Sequence, residues 1–307
     1  MIETPLSPTA VLEQVAESLP SHVRGSVIII GSLAAGYHFF AGDGNRAVRT
    51  KDVDALFVPH SKAVIAAAEV TDELIDAKWT LREGTAWSKP GTKDDAEESL
   101  PMVRLVPPDH KASSWFLELL SAPPQFEPGA PAKKLRRVET KVGHFAICSF
   151  DYLALVEWEP LNTTPGVRIA RPEMMALANM LHHPSIGDAL ILGTTFKRSN
   201  KDLGRVLALA YLTLERDRRQ GTEELAEWPG RMWQALQQKF NAHAPVLAAK
   251  AGAGIRALLD SQADLDSALH MANIGLLTSL DVSREAFRAT GDRFVVEVLD
   301  ELEAMAK

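Results

Sequence analysis

The chain has 307 residues, 46% hydrophobic and 24% charged, a composition that suits a globular protein with room for two domains. Its net charge of −7 argues against a general nucleic-acid binder, and its single cysteine, Cys148, excludes an internal disulfide and points to a reducing compartment. No apolar run approaches the roughly 20 residues that span a bilayer, and Met1-Ile2-Glu3-Thr4-Pro5 does not read as a signal peptide. The expected location is therefore cytoplasmic, with no membrane partner.

In chain order, Ser7-Pro8 reads as an N-cap with proline at N1, opening a helix through about Ser18. Val23–Ile30 reads as a buried strand that runs into Gly31-Ser32. A short helix is expected over Gly31–Phe40, with Leu33, Ala34, Tyr37 and His38 at helical spacing. After turn residues at 41–45, Asp52–Val58 reads as a second strand, closed by Pro59, and Ser61 as the cap of a helix to about Lys78. Thr85–Leu100 is polar and is expected as a mobile surface loop. Strands are predicted at Met102–Val106 and Ser114–Leu120, a Pro-rich loop at Ala122–Pro131, and a hairpin over Arg137–Lys141 and His144–Ser149. Beyond about Arg168 the pattern is helical throughout: Pro172–His182, Asn200–Arg218, Glu223–Phe240, Ala244–Leu259, Ala263–Leu277 and Arg284–Ala306. Thr163-Thr164-Pro165-Gly166 makes a natural linker, so the expected organisation is an α/β domain over 1–168 and a helical domain over 169–307.

The chemistry is concentrated around two short motifs. At a strand-to-helix junction the first amides of the helix have no partners within the helix and carry the positive end of its dipole. Glycine lets the backbone approach a phosphate there, and Ser32 adds a hydroxyl, although Gly-Ser is also common turn punctuation. Asp52 and Asp54 stand at i and i+2 in an otherwise apolar strand, so both carboxylates project from one face. Hard oxygen donors placed this way suit Mg²⁺ or Mn²⁺ shared with substrate phosphates; solvated aspartates on an edge strand are the alternative. Neither motif is specific, but together they favour metal-assisted phosphate chemistry.

This combination resembles the polymerase-β-like nucleotidyltransferase superfamily, in which a strand, Gly-Gly or Gly-Ser and a helix precede a strand with Asp-x-Asp. The spacing is similar to that of the AbiEii-type toxin branch, with Tyr37-His38 on the helix and Arg49-Thr50-Lys51-Asp52 leading into the second strand. The resemblance implies a mixed β-sheet flanked by helices and followed by an all-helical domain. It also implies that Gly31, Ser32, Arg49 and Thr50 serve an NTP, and that Asp52 and Asp54 bind metal. A third carboxylate on a later strand completes the family's site, and Glu118 in Trp115-Phe116-Leu117-Glu118-Leu119-Leu120 is the best match, as metal ligand or general base. Lys201-Asp202 matches the family's Lys-Asp pair, with Lys201 on the triphosphate, whereas Asn179 stands near where a lysine is expected on the preceding helix. The implied activity moves NMP from an NTP to an acceptor hydroxyl on tRNA, other RNA, protein or a small molecule, with a cognate antitoxin as a possible partner. Loss of the lysine leaves open a catalytically silent binding or regulatory module. A metal-using glycosyltransferase fits less well, because it calls for repeated βα units.

The remaining candidates have simpler readings. Lys133-Lys134-Leu135-Arg136-Arg137 and Lys197-Arg198 with Lys201 and Arg205 are solvated faces or tracks for a polyanionic substrate. His182-His183 are adjacent on a helix and read as a helix-end surface pair, and Cys148 as a buried structural thiol.

Overall fold

The computed structural model describes residues 5–82, 89–108, 115–124, 126 and 133–307. The chain splits into two compact units, one of Met1–Gly44 with Arg49–Ala170 and one of Asn45–Val48 with Arg171–Lys307. The class is α+β: a mixed β-sheet flanked by helices, followed by an all-helical region.

In the first unit, helix α1 (Pro8–Ser18) is capped by Ser7 and followed by a short helix, α2 (Ser21–Arg24). The strand expected from Val23 starts later, as β1 (Val27–Ile30), because Pro20 at the cap position favours a helical turn first. Four consecutive aliphatic residues make β1 buried along its whole length. Helix α3 (Gly31–Phe40) follows directly, then β2 (Asp52–Phe57) and α4 (His60–Asp76). Pro59, not Ser61, occupies the N-cap of α4, and no side chain caps it. The strands β3 (Thr80–Leu81), β4 (Arg104–Val106), β5 (Phe116–Ser121), β6 (Lys133–Thr140), β7 (Gly143–Phe150), β8 (Leu161–Asn162) and β9 (Arg168–Ile169) complete the sheet.

Along the sheet the order is β3-β4-β5-β2-β1-β9-β8, with β7 joined to β5 and β6 to β7. The strand carrying the aspartates is therefore interior, antiparallel to β1 on one side and parallel to β5 on the other. A central strand with aspartates on one face needs the other face to supply core, and Val53 and Ala55 do so, fully buried. Residues 89–100, expected as mobile loop, are pinned to the hairpin. Gly91 and His144 exchange backbone hydrogen bonds of 2.8 and 3.0 Å, and Arg137 donates to the carbonyls of Thr92 and Asp95. That basic segment thus holds structure, as does Lys134, which lies 3.5 Å from Asp151. Residues 85–88, Ser114 and most of 125–131, expected as loop, strand and loop, lie outside the described residues.

The second unit contains α5 (Pro172–Ile186), α6 (Arg198–Gln220), α7 (Glu224–Phe240), α8 (Ala244–Ala251), α9 (Ala253–Asp260), α10 (Gln262–Ile274), α11 (Arg284–Phe294) and α12 (Asp300–Met305). The predicted helix 244–259 is broken at Gly252, and a single π turn over Val295–Leu299 interrupts the last one. No helix among the described residues is long and apolar enough to cross a membrane.

Candidate active site

The site is assembled from the ends of three neighbouring strands. β1 ends at Ile30, which pairs with Asp54 of β2, and the chain then turns at Gly31 into α3. Gly31 has φ +75, in the left-handed region that glycine tolerates. A Cβ on Gly31 would stand 3.2 Å from Asp54 Oδ2, so the absent side chain also lets backbone and carboxylate meet. The helix begins without a side-chain cap at Ile30, leaving its first amides available at the positive end of the dipole. Ser32, in that first turn, is partly exposed.

On β2 the two aspartates are half-buried and share a face, with Val53 buried between them on the opposite one. Thr50 is buried just before the strand, and its Oγ1 lies 2.7 Å from Asp52 Oδ1 and 3.0 Å from the Asp52 carbonyl. One hydroxyl proton serves a single acceptor at a time, and the shorter approach, to the carboxylate, holds the Asp52 rotamer. Arg49 Nε is buried and has no hydrogen-bond partner among the described residues.

β5 runs parallel to β2 in a register that sets Asp52 beside Phe116 and Asp54 beside Glu118. Asp52, Asp54 and Glu118 therefore lie on one face of adjoining strands. The Glu118 carboxylate, however, accepts from Arg104 Nε at 2.8 Å, with the two side chains 14% and 22% exposed. Arg104 is its register partner on β4, which places the guanidinium on the same face. Among the described residues no group of three or more His, Cys, Asp or Glu is placed to hold a metal ion. Asp52 and Asp54 alone offer a hard-oxygen donor set of the kind that binds Mg²⁺ or Mn²⁺ when phosphate oxygens and water complete the shell. These residues fit such an ion; the third ligand position is taken up with an arginine.

Sequence reasoning missed Arg104. It stands in Met102-Val103-Arg104-Leu105-Val106 as a lone charge in an apolar run, the same signal that singled out Glu118. Phe116 and Arg82 were also missed: Arg82 lies 4.2 Å over the Phe116 ring.

Lys201 and Asp202 belong to the helical unit, on α6. Asp202 lies 3.7 Å from Arg205, one turn along. His182 and His183 are half-buried rather than surface residues. Burial lowers both their pKa values, and Asp202 opposes the shift. A Cβ on Gly254 would run into the His183 ring, so the glycine makes room for the histidine. Asn179 donates to the Met175 carbonyl of its own helix at 2.9 Å. Glu173, fully buried, keeps a raised pKa through desolvation, which Arg231 and Arg171 partly offset. Cys148 is buried, as expected.

No family model matches the chain, and no curated protein matches it. Among solved structures it is similar to an antigenic nucleotidyltransferase-like protein from Paracoccidioides brasiliensis. The identity is 17%, covering 80% of this chain and 96% of that one, with a TM-score of 0.32.

Proposed function

We propose that this protein is a metal-dependent nucleotidyltransferase of the polymerase-β-like superfamily, on its AbiEii-type, toxin-like side, moving NMP from an NTP to an acceptor hydroxyl. The observation that carries the reading is the approach of Gly31 to Asp54: a glycine that opens an uncapped helix stands against a carboxylate on the central strand. A phosphate cradle and an acidic pair thus share one small region.

Asp52 and Asp54 would hold the divalent metal, which would supply charge stabilisation to the phosphoryl group. The amides from Gly31 onward and the Ser32 hydroxyl receive the triphosphate, with Arg49 as a further cation near the strand entry. Thr50 keeps Asp52 in the rotamer that faces the site. Glu118, released from Arg104, accepts the proton of the acceptor hydroxyl as that oxygen attacks the α-phosphate in line and pyrophosphate leaves. RNA, tRNA included, or protein is the acceptor class in this reading, and a cognate antitoxin is the expected protein partner.

The test is incubation with each labelled NTP and Mg²⁺ alongside total RNA and whole-cell protein. Label that appears on either and vanishes in Asp52→Ala supports the reading; no label on any acceptor refutes it. A second reading, a catalytically silent nucleotide-binding module, is favoured by the Arg104–Glu118 pair, which occupies the third carboxylate. Calorimetry separates the two: a silent module binds NTP, loses binding in Asp54→Ala, and never transfers label.

A further inference from the structure

From Ala41 to Lys51 the chain has no helix or strand, so its course into β2 depends on side-chain bonds and on burial. Asn45–Val48 groups with the helical unit, and Arg49 returns to the sheet unit. Arg46 Nη1 donates to the Ser279 carbonyl at 2.6 Å, across 233 residues of sequence. A charged donor makes this a short, strong bond. The same charge reaches Tyr211 on α6, where burial raises the phenol pKa, Glu215 adds to the rise and Arg46 opposes it. The acceptor is itself held. Between α10 and α11, Asn273 donates to the Val282 carbonyl at 2.9 Å and accepts from its N–H at 3.3 Å. Leu277, fully buried, donates from its N–H to the Ala272 carbonyl at 2.9 Å. Beyond Arg46, Val48 and Thr50 are buried, and the Phe116 N–H donates to the Lys51 carbonyl at 2.9 Å. Arg46 and Lys51 thus pin the two ends of a short lead, and within it Thr50 holds Asp52 at 2.7 Å.

We infer that Arg46 is a positioning residue for Asp52: bonded to Ser279, it fixes the lead into β2 and, through that lead, the Thr50 hydroxyl that sets the Asp52 rotamer. The inference rests on the nucleotidyltransferase reading for Asp52 as a cation ligand. A lead pinned at its sheet end alone has backbone freedom over 47–49, and each added conformation lets Thr50 Oγ1 leave Asp52. Asp52 then samples rotamers that turn away from Asp54, and reordering it subtracts from the affinity for the cation. The effect of Arg46 therefore reaches the cation by way of Thr50, as partners behind a metal ligand do.

Two readouts on the full chain test this. Amide hydrogen exchange followed by mass spectrometry, in metal-free buffer, reads the lead itself. Mn²⁺ titration, followed by loss of the free-ion paramagnetic resonance signal, reads the site. Arg46→Ala should speed exchange over 47–52 about tenfold, with β5 unchanged as the internal reference. It should weaken Mn²⁺ about fivefold, and Thr50→Val about tenfold. The double variant should lose about tenfold, no more than Thr50→Val alone, because both changes act on one carboxylate. Arg46→Lys keeps a cationic donor and should recover most of the loss. Arg46→Gln, a shorter neutral donor, takes the place of the alanine variant if that one fails to fold, with an expected loss of about threefold. Unchanged exchange over 47–52, or a double variant that loses about fiftyfold as independent effects would, overturns the inference. Exchange that speeds equally in β5 also overturns it, because Arg46 then serves overall stability. Failure of the nucleotidyltransferase reading shows separately, as wild-type protein that binds no Mn²⁺ while Arg46→Ala still speeds exchange over 47–52.

Discussion

Gly31→Ala separates the two reasons for glycine at the strand–helix junction. The residue has φ +75, and an L side chain in that region costs about 1–2 kcal/mol. Its new Cβ would also stand 3.2 Å from Asp54 Oδ2, tighter than an ordinary contact, so the carboxylate must retreat by a few tenths of an ångström. Gly42 supplies the control, with φ +90 and nothing within 4 Å of a Cβ placed there. Gly42→Ala thus carries backbone strain of the same kind without touching the site. Both variants are expected to lose about 1–2 kcal/mol, seen by calorimetry as a fall in Tm of about 2–4 °C per kcal/mol. Only Gly31→Ala should weaken Mn²⁺ or Mg²⁺·NTP binding, by about tenfold, because displaced supporting geometry costs a metal site that much. Equal loss of cation affinity in Gly42→Ala would refute the assignment of Gly31 to the site. So would a Gly31→Ala protein that loses stability but binds the cation as wild type does.

Other variants probe the surrounding structure. Thr50→Val keeps the side-chain shape but deletes the 2.7 Å bond to Asp52; a loss of about 1–2 kcal/mol in urea unfolding and weaker cation binding are expected. In the helical unit, a Cβ on Gly204 would lie 2.6 Å from the Ala268 carbonyl, so Gly204→Ala should force α6 from α10 and cost about 1–3 kcal/mol. Burial lowers the pKa of His182 and His183, against the pull of Asp202, so the folded state holds both neutral. Their contribution is full above the unfolded value of about 6.5 and is lost as pH falls below it, so the urea midpoint should drop between pH 7 and 5. A His182→Gln/His183→Gln variant should flatten that slope. Desolvation works against ionisation of Asp217, but bonds from Thr222, Glu224 and Leu225 outweigh it and leave the pKa lowered. Its contribution is present above about pH 4 and lost below, as the pH falls through the folded pKa. Asp217→Asn should therefore lose stability at neutral pH and show a shallower acid decline.

How much of this was legible in the chain depends on whether a feature is local. The place of Gly31 at a strand-to-helix junction and of Asp52 and Asp54 on one strand face was readable because each rests on a local rule: an apolar strand that runs into a helix, and side chains that alternate with period two. The split into a sheet half and a helical half followed from the same periodicities. The helix break at Gly252 was missed although glycine is locally a poor helix former, whereas the role of Gly204 was not readable, since it faces Ala268 far along the chain. The His182–His183 pair was misjudged for the same reason, because its burial comes partly from the helix that carries Gly254. Glu118 marks the boundary most sharply. Its isolation in an apolar strand identified it as a residue with a job, yet nothing local discloses its partner. That partner, Arg104, is set by the register of β4 on β5, and the pairing of β3 with β4 brings Arg82 alongside. The acidic pair was visible because it lies along one strand; the cation that contends for the third carboxylate lies across three. A lone charge in a buried strand is therefore half of a pair: Glu118 stood out by that rule, while Arg104, the other half, carried the same signal and was passed over.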